Sequence, residues 1–412
     1  MEAIQYLTEQ FPNADFDWLN DDAIRILVDA FQARGDDLIR FVGGCVRDSL
    51  LGQSAHDIDI ATLLPPDQVT NALHDSGIKV VATGIEHGTV TAVVKRRGFE
   101  ITTLRADVST DGRRADVVFT NDWSVDARRR DFTMNAIYLS PAGVLFDPVG
   151  GIVDLKAGNV RFIGDARARI REDYLRILRF FRFSGRFANE FQSLGLSACH
   201  LECDGISNLS GERIGREMLS ILSLPNAADI VAKMMESDVL EKIYRGDANV
   251  DALRDMQVIE QNCDAVLALA ALFGNEFDNV ADRLVLSNAE KAIGTFALEN
   301  VNGMSPVLAP QDLRARVYRL GQTKFCDAAL LAAAHQTLTA EEYQRQIAYA
   351  RNWQPPVFSV TGNDIAAAGI DVGPKIGMIL RSIEAQWISE DFPDAQRLRE
   401  IVDIETAGHN RR

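Results

Sequence analysis

Apolar residues follow two rhythms along this chain. In the first 150 residues they fall in short runs, several of them alternating, and these predict strands at 38–42 (LIRFV), 57–61, 79–82, 89–95, 99–104 and 135–140. A helix is expected at 66–75, and residues 1–36 read as helices, with Asp21 or Asp22 capping AIRILVDAFQ and Gly35 ending it. After Gly158 the period lengthens. Ile170, Tyr174, Ile177, Leu178 and Phe181 recur at helical spacing, and further helices are expected at 212–222, 226–237, 250–270, 285–298, 310–320, 326–336, 340–351 and 373–388. Strands and helices do not alternate regularly in the first part, so a doubly wound sheet is disfavoured. The expected class is α+β: a mixed sheet with helices, then an all-α remainder. Four segments are expected, at 1–36, 37–158, 159–222 and 223–412.

Composition narrows the class. A chain of 412 residues is too long for one ordinary core. No apolar run approaches the roughly 18 residues a membrane helix needs, and MEAIQYLTEQ has no basic stretch or apolar run of a secretory signal. The five cysteines are an odd number, which suits reduced thiols in the cytoplasm. Cys199, His200 and Cys203 have no second ligand pair, so zinc is not expected. The net charge of −16 argues against a nucleic-acid partner until its distribution is seen. Arginines crowd 161–186, Arg128 to Arg130 form a second cluster and Arg113–Arg114 a third, while much of the acid lies beyond Asp229. Phosphate binding needs only a local basic surface.

The densest chemistry lies at 41–62, FVGGCVRDSLLGQSAHDIDIAT. Alternation places Asp57 and Asp59 on one face of a strand and Ile58 and Ile60 on the other, with the acidic Cα atoms about 6.6 Å apart. That spacing suits two divalent ions of the kind used in phosphoryl and nucleotidyl transfer. Gly43 and Gly44 just before them allow close backbone approach, and their N–H groups suit a triphosphate. Glu100 in FEITTL is a candidate third carboxylate, and equally a solvent-facing strand residue. In Glu172-Asp173-Tyr174-Leu175-Arg176, helical spacing brings both acids toward Arg176. On the residues alone this is either an ordinary helix ion pair or a template for bases. A carboxylate accepts and a guanidinium donates. Cytosine and adenine each present an amino group beside a ring-nitrogen acceptor, whereas uracil and guanine present the reverse. One Asp–Arg pair therefore admits CTP and ATP and rejects UTP and GTP.

The ordered strings GG-x-V-R-D…D-x-D, R-R-D-F-T-x-N-A (129–136), D-P-x-G-G (147–151), E-D-x-x-R (172–176) and S-x-E-R-I-x-x-E (210–217) resemble the class II branch of the polymerase-β-like nucleotidyltransferases, which holds CCA-adding enzymes and bacterial poly(A) polymerases. The resemblance is dense over about 38–220 and looser over the last 50 residues. It implies a polymerase-β-like head followed by an all-α neck, body and tail. Catalysis would rest on Asp57, Asp59 and Glu100, with Asp57 and Asp59 holding two Mg²⁺. Gly43, Gly44 and Arg47 would hold the triphosphate; Arg130, Asp131 and Asn135 would meet ribose and triphosphate, supported by Asp126 and Arg129. Asp173 and Arg176 would read the base and Glu172 would orient them. A mobile loop at 104–119 would carry Arg105, Asp111 and Arg113, with Ala115 where the family usually has proline. Asp147, Gly150 and Gly151 would form a hinge turn, and Glu212 and Arg213 would brace the neck. The implied activity is untemplated addition of C, C and A to tRNA 3′ ends from CTP and ATP, with the helical body binding tRNA. Poly(A) and CC-only enzymes share the head strings.

Overall fold

A computed structural model describes residues 11–410, apart from 56, 82–83, 85–87 and 111–114. It divides into two units, one of residues up to 221 with 230–245, the other of 222–229 with 246–412.

The first unit opens with helix α1 (Asp22–Gln32), capped by the Asp21 carboxylate on the Ala23 N–H. Its residues Ala23, Ile24, Leu27, Ala30 and Phe31 are buried, one helical face. Strand β1 (Ile39–Val42) and the short helix α2 (Gly44–Leu50) lead to β2 (Ile60–Thr62), followed by α3 (Pro66–Asp75). Strands β3 (Lys79–Val81), β4 (Thr89–Val94) and β5 (Arg97–Thr103) come next. They join a seven-stranded sheet ordered β3-β4-β5-β2-β1, completed by β8 (Tyr138–Leu139) and β9 (Leu145–Phe146). Only the β2–β5 pair is parallel among the described strands. Helices α1 and α3 pack against β4, where Val90, Ala92 and Val94 are buried and alternate with half-buried Thr89, Thr91 and Val93.

Two readings of this region change. The strand expected at 57–61 begins only at Ile60, because the chain enters the sheet after the turn that follows α2. The alternation nonetheless holds: Ile58 and Ile60 are buried and Asp57 and Asp59 exposed. The stretch expected as a mobile loop at 104–119 is instead a two-stranded ribbon, β6 (Arg105–Thr110) against β7 (Ala115–Phe119). Asp111 and Arg113 lie outside the described residues.

Helix α4 (Trp123–Arg128) follows the ribbon, and α5 (Gly151–Ala157) follows the sheet. Then come α6 (Ala166–Glu172), α7 (Leu175–Phe187), α8 (Ser193–Glu202) and α9 (Gly211–Leu222). An aromatic cluster fastens α7 to the strings before it. Phe132 packs on Phe162 and Phe183 with ring centroids 4.9 and 5.3 Å apart, and Phe162 stacks on Phe180 at 5.4 Å. Phe132, Phe162 and Phe180 are buried, each contributing about 2–3 kcal/mol by transfer from water.

The second unit is helical. The helix expected over 250–270 is two, Val250–Ile259 and Ala265–Phe273. The polar 260–264 segment interrupts them, and Asp264 caps the second by accepting the Val266 N–H at 2.7 Å. Val266 to Phe273 are all buried, as in a helix surrounded by others. A separate cluster, including Ile365, Ile379, Ile383, Trp387 and Ile401, closes the last helices on one another. No helix among the described residues is long and apolar enough to cross a membrane.

Candidate active site

The parallel pairing of β2 with β5 sets Ile60 beside Ile101. The residues one step before them, Asp59 just ahead of β2 and Glu100 in the middle of β5, therefore sit side by side, on the face opposite the buried isoleucines. Glu100 itself pairs with Thr91 across β4–β5. Asp57, Asp59 and Glu100 are all exposed, and none takes an ion pair among the described residues. Desolvation first, then Glu100 and Asp57, push the Asp59 carboxyl above its ordinary value, with Arg130 opposing them. Sequence reasoning offered Glu100 as a candidate third carboxylate, and the register sets it beside Asp59.

Gly43 lies directly above. Its φ of +82° is a backbone region that L side chains rarely adopt. A Cβ there would come within 3.8 Å of Asp59 Oδ2 and 3.9 Å of Arg130 Nη1. The missing side chain thus leaves a space with carboxylate on one side and guanidinium on the other. Gly44 opens α2 immediately after it.

Arg47 does not face this space. It is 4% exposed, donates to Asp48 Oδ1 at 2.8 Å and to Asn135 Oδ1 at 2.5 Å, and lies 4.3 Å from the Phe187 ring centroid. Arg47 is expected to contact the triphosphate; here α2 carries its side chain toward α7. Asp131 and Asn135 are likewise buried and occupied. Asp131 accepts from the Phe132 N–H, from Asn135 Nδ2 at 3.1 Å and from Arg179 Nε at 2.7 Å. Burial raises the Asp131 pKa, but Arg179 and Asn135 outweigh it and hold the carboxyl below its ordinary value.

Asp126 is the hub of the adjoining string. Only 1% exposed, it accepts from Arg129 Nε at 2.8 Å, the Tyr138 hydroxyl at 2.7 Å and Arg130 Nη2 at 3.2 Å. It also accepts the backbone N–H of Arg105 at 3.3 Å, tying the ribbon to α4. Burial opposes its ionisation, but Arg130 and Arg129 win and its pKa is lowered. Asp147 accepts the N–H groups of Gly151 and Ile152 at 2.8 and 2.9 Å, so the turn through Gly150 is anchored as the start of α5.

The string at 172–176 departs from its expected form. It is not one helix: Asp173 is extended (φ −155°, ψ 106°) and separates α6 from α7. A Cβ on Gly205 would stand 2.0 Å from the Tyr174 ring, so that ring packs flush on glycine backbone and fixes the break. Asp173 takes its side-chain partners elsewhere than Arg176. Its Oδ1 accepts the Leu175 N–H at 3.1 Å and its Oδ2 accepts Arg213 Nη2 at 2.7 Å. Arg176 keeps its bond to Glu172 Oε2 at 2.7 Å and adds backbone carbonyls, Arg169 O at 2.8 Å and Arg129 O at 3.2 Å. Glu212, on exposed α9 surface, pairs with Arg216, while Glu217 takes Arg182 at 2.7 Å.

Sequence reasoning missed Arg169, Arg179 and Tyr138. Their local signal is only a basic or aromatic residue at helical or strand spacing. Each has a partner 12–48 positions away, Asp126 for Tyr138, Arg130 for Arg169 and Asp131 for Arg179, and only the fold joins those pairs.

The oxygen donors at Asp57, Asp59 and Glu100 suit a hard divalent cation, and desolvation with the neighbouring acids raises the Asp59 pKa. Among the described residues no three His, Cys, Asp or Glu side chains already converge on one point. Mg²⁺ characteristically takes one or two carboxylates and completes its shell with water and substrate phosphate, so the donor set fits it.

Residues 39–161 match a family model described as the poly A polymerase head domain. The chain is 35% identical over 403 residues to human CCA tRNA nucleotidyltransferase 1, mitochondrial, covering 93% of this chain and 90% of that protein. It is 30% identical over 367 residues to the CCA-adding enzyme of Levilactobacillus brevis, covering 86% and 90%. Its fold matches the Bacillus stearothermophilus CCA-adding enzyme, solved in complex with CTP, with a TM-score of 0.73 at 24% identity over 94% and 98% of the two chains. The Thermotoga maritima CCA-adding enzyme complexed with tRNA matches with a TM-score of 0.66 at 21% identity over 98% of each. With the human relative matched along nearly its whole length, the chain belongs to the family of CCA-adding tRNA nucleotidyltransferases.

Proposed function

We propose that this chain completes tRNA 3′ ends by adding C, C and A from CTP and ATP. In each cycle the 3′ oxygen of the tRNA forms a bond to the α-phosphorus, the bond to the β-phosphate bridge breaks, pyrophosphate leaves and the hydroxyl proton passes to solvent. The observation that carries the reading is the pairing of two parts: exposed acids Asp57, Asp59 and Glu100 below the Gly43 space, and Asp173 with Arg176 at the α6–α7 break.

Asp57 and Asp59, with Glu100 beside them, would hold two Mg²⁺. When bound, such ions lower the pKa of the attacking hydroxyl and stabilise the leaving pyrophosphate. Arg130, at the edge of the Gly43 space, is placed to face the triphosphate. Asp126 and Tyr138 fix its direction, while Arg47, Asp131 and Asn135 brace the floor. Asp173 and Arg176 are assigned the base edge, accepting from the amino group and donating to the ring nitrogen of C or A. Both are already hydrogen-bonded to protein, so a base would exchange places with one bond on each. We assign Arg105 and the ribbon it opens to the switch from adding C to adding A, the role such a loop has in CCA-adding enzymes. We assign the second unit to tRNA, bound by shape and phosphate contacts that weaken as salt rises. The cytoplasm is the compartment we propose, in keeping with five free cysteines.

The test is a product-length assay with tRNA ending before CCA or after CC, supplied with Mg²⁺ and CTP, ATP or both. Three residues added to the first substrate and one to the second, then a stop, are expected. A long A ladder from ATP alone would make it a poly(A) polymerase, and arrest after CC a CC-only enzyme.

A further inference from the structure

We infer that Arg169 is the positioning residue that sets the separation between the phosphate-facing and base-facing halves of the nucleotide site. The inference rests on the reading above and adds a part that no motif assigns. Arg169 lies in the middle of α6 and is 9% exposed. One arm of its fork, Nη2, donates to Arg130 O at 2.7 Å and also to Arg129 O. The other, Nη1, donates to Glu172 Oε1 at 2.6 Å and also contacts Oε2.

These two anchor points belong to opposite ends of the site. The Arg129 and Arg130 carbonyls lie just beyond α4, on the same short stretch whose Arg130 side chain reaches the Gly43 space and Asp126. Glu172 ends α6 and holds Arg176 at 2.7 Å. Arg176 closes the ring through Arg169 O at 2.8 Å and Arg129 O at 3.2 Å. The Arg176–Arg129 bond, at 3.2 Å, is the longest in the ring. Arg169, whose two arms span both anchor points, is therefore the tie, and Arg176 is the member that gives way when a purine replaces a pyrimidine. A planar fork holds carbonyls with one arm and a carboxylate with the other; a lysine offers a single point and cannot span both. A nucleotide is gripped at both ends, so an error in that separation is felt as misalignment of the α-phosphorus.

The test uses the full chain, with Arg169→Lys, Arg169→Met and Arg169→Ala, on tRNA ending before CCA and after CC. Loosening the tie should raise KM for CTP and ATP about tenfold, leave kcat at saturation within about threefold, and raise UTP incorporation relative to CTP about tenfold. Added guanidinium should lower the raised KM of Arg169→Ala and leave the wild type unaffected. An unchanged KM and UTP-to-CTP ratio overturns the inference. So does an equal fall in kcat for CTP and ATP with no change in either, which is what a merely structural role would give. Thermal melting identifies any variant that fails to fold, and the lysine variant, which keeps charge and length, then carries the test. Wild-type protein that makes no CCA in the same assay would instead remove the functional reading itself.

Discussion

The two halves of the proposed nucleotide site are built on opposite electrostatic plans. At the central strands β2 and β5, Asp57, Asp59 and Glu100 are exposed with no ion pair among the described residues, and desolvation, then the neighbouring Glu100, push the Asp59 carboxyl up. Between α4 and α7 each buried acid is matched by arginine: Asp126 by Arg129 and Arg130, Asp131 by Arg179. The first half holds charge in reserve for something that arrives with the substrate. The second uses its charge to hold itself in shape. The lesson is that acidity alone does not mark a reacting residue: here the exposed, uncompensated carboxylates are the candidates, and the buried, compensated ones are scaffold.

The largest expected effect breaks the first half. Asp59→Ala should lower transfer of both CTP and ATP by about 10³-fold or more, since two-metal chemistry provides several kcal/mol. tRNA binding by gel shift should persist and the melting temperature should stay level or rise, because a repelled charge is gone. Transfer within tenfold of wild type would move the reacting centre elsewhere. The mirror experiment strikes the second half. Asp126→Ala strands two guanidiniums whose side chains are 16% and 21% exposed, and urea unfolding should show a loss of about 3 kcal/mol, the low end for a broken buried pair because water reaches their edges. A loss under about 1 kcal/mol would mean that the arginines find other partners.

How much of this was legible in the sequence follows the same division. The acids at Asp57, Asp59 and Glu100 were readable, because strand alternation and short spacing are local properties. Helix 66–75 appears with the bounds its pattern predicted. The ribbon at 105–119 was not read as strands, since its polar composition resembles a loop and its pairing is internal. The α6–α7 break was hidden for a different reason: Tyr174 and Leu175 continue the helical spacing, and only Gly205, 31 residues on, shows why the helix stops. Arg47 and Asp131 are expected as ligand contacts, but that both are buried was not legible in their motifs. Their burial is set by α7, which the motif does not contain.

A smaller effect separates base reading from scaffolding. Asp173→Ala removes the carboxylate assigned to the amino group of C or A, and should raise UTP incorporation about tenfold, the scale of one polar contact. Its partner Arg213 is half exposed, so stability should change by less than about 1 kcal/mol. If UTP stays rejected in single-turnover assays with this variant, the base is read by other groups.

The smallest effect tests the two plans through the sign of their pH dependence. Asp126 and Asp131 have lowered carboxyl pKa values in the fold. Their stabilisation is complete above the ordinary carboxylate pKa and is lost as pH falls through their folded values. Asp59 is raised, so the folded chain holds this proton more tightly than the unfolded one. Its penalty sets in as pH rises from the ordinary value of 3.8 through the folded one, and is complete above that. Asp59→Asn should therefore be more stable than wild type at neutral pH by less than about 1 kcal/mol, because the carboxylate keeps water contact that screens it, and the gap should close on acidification. Asp126→Asn should show the opposite difference, a loss at neutral pH that shrinks in acid. Mg²⁺ supplies the missing counter-charge, so adding it should raise the melting temperature of wild type at neutral pH and not that of Asp59→Asn. Equal Mg²⁺ responses from the two would mean that the ion binds elsewhere, and that the uncompensated charge beside the central strands β2 and β5 serves something other than metal.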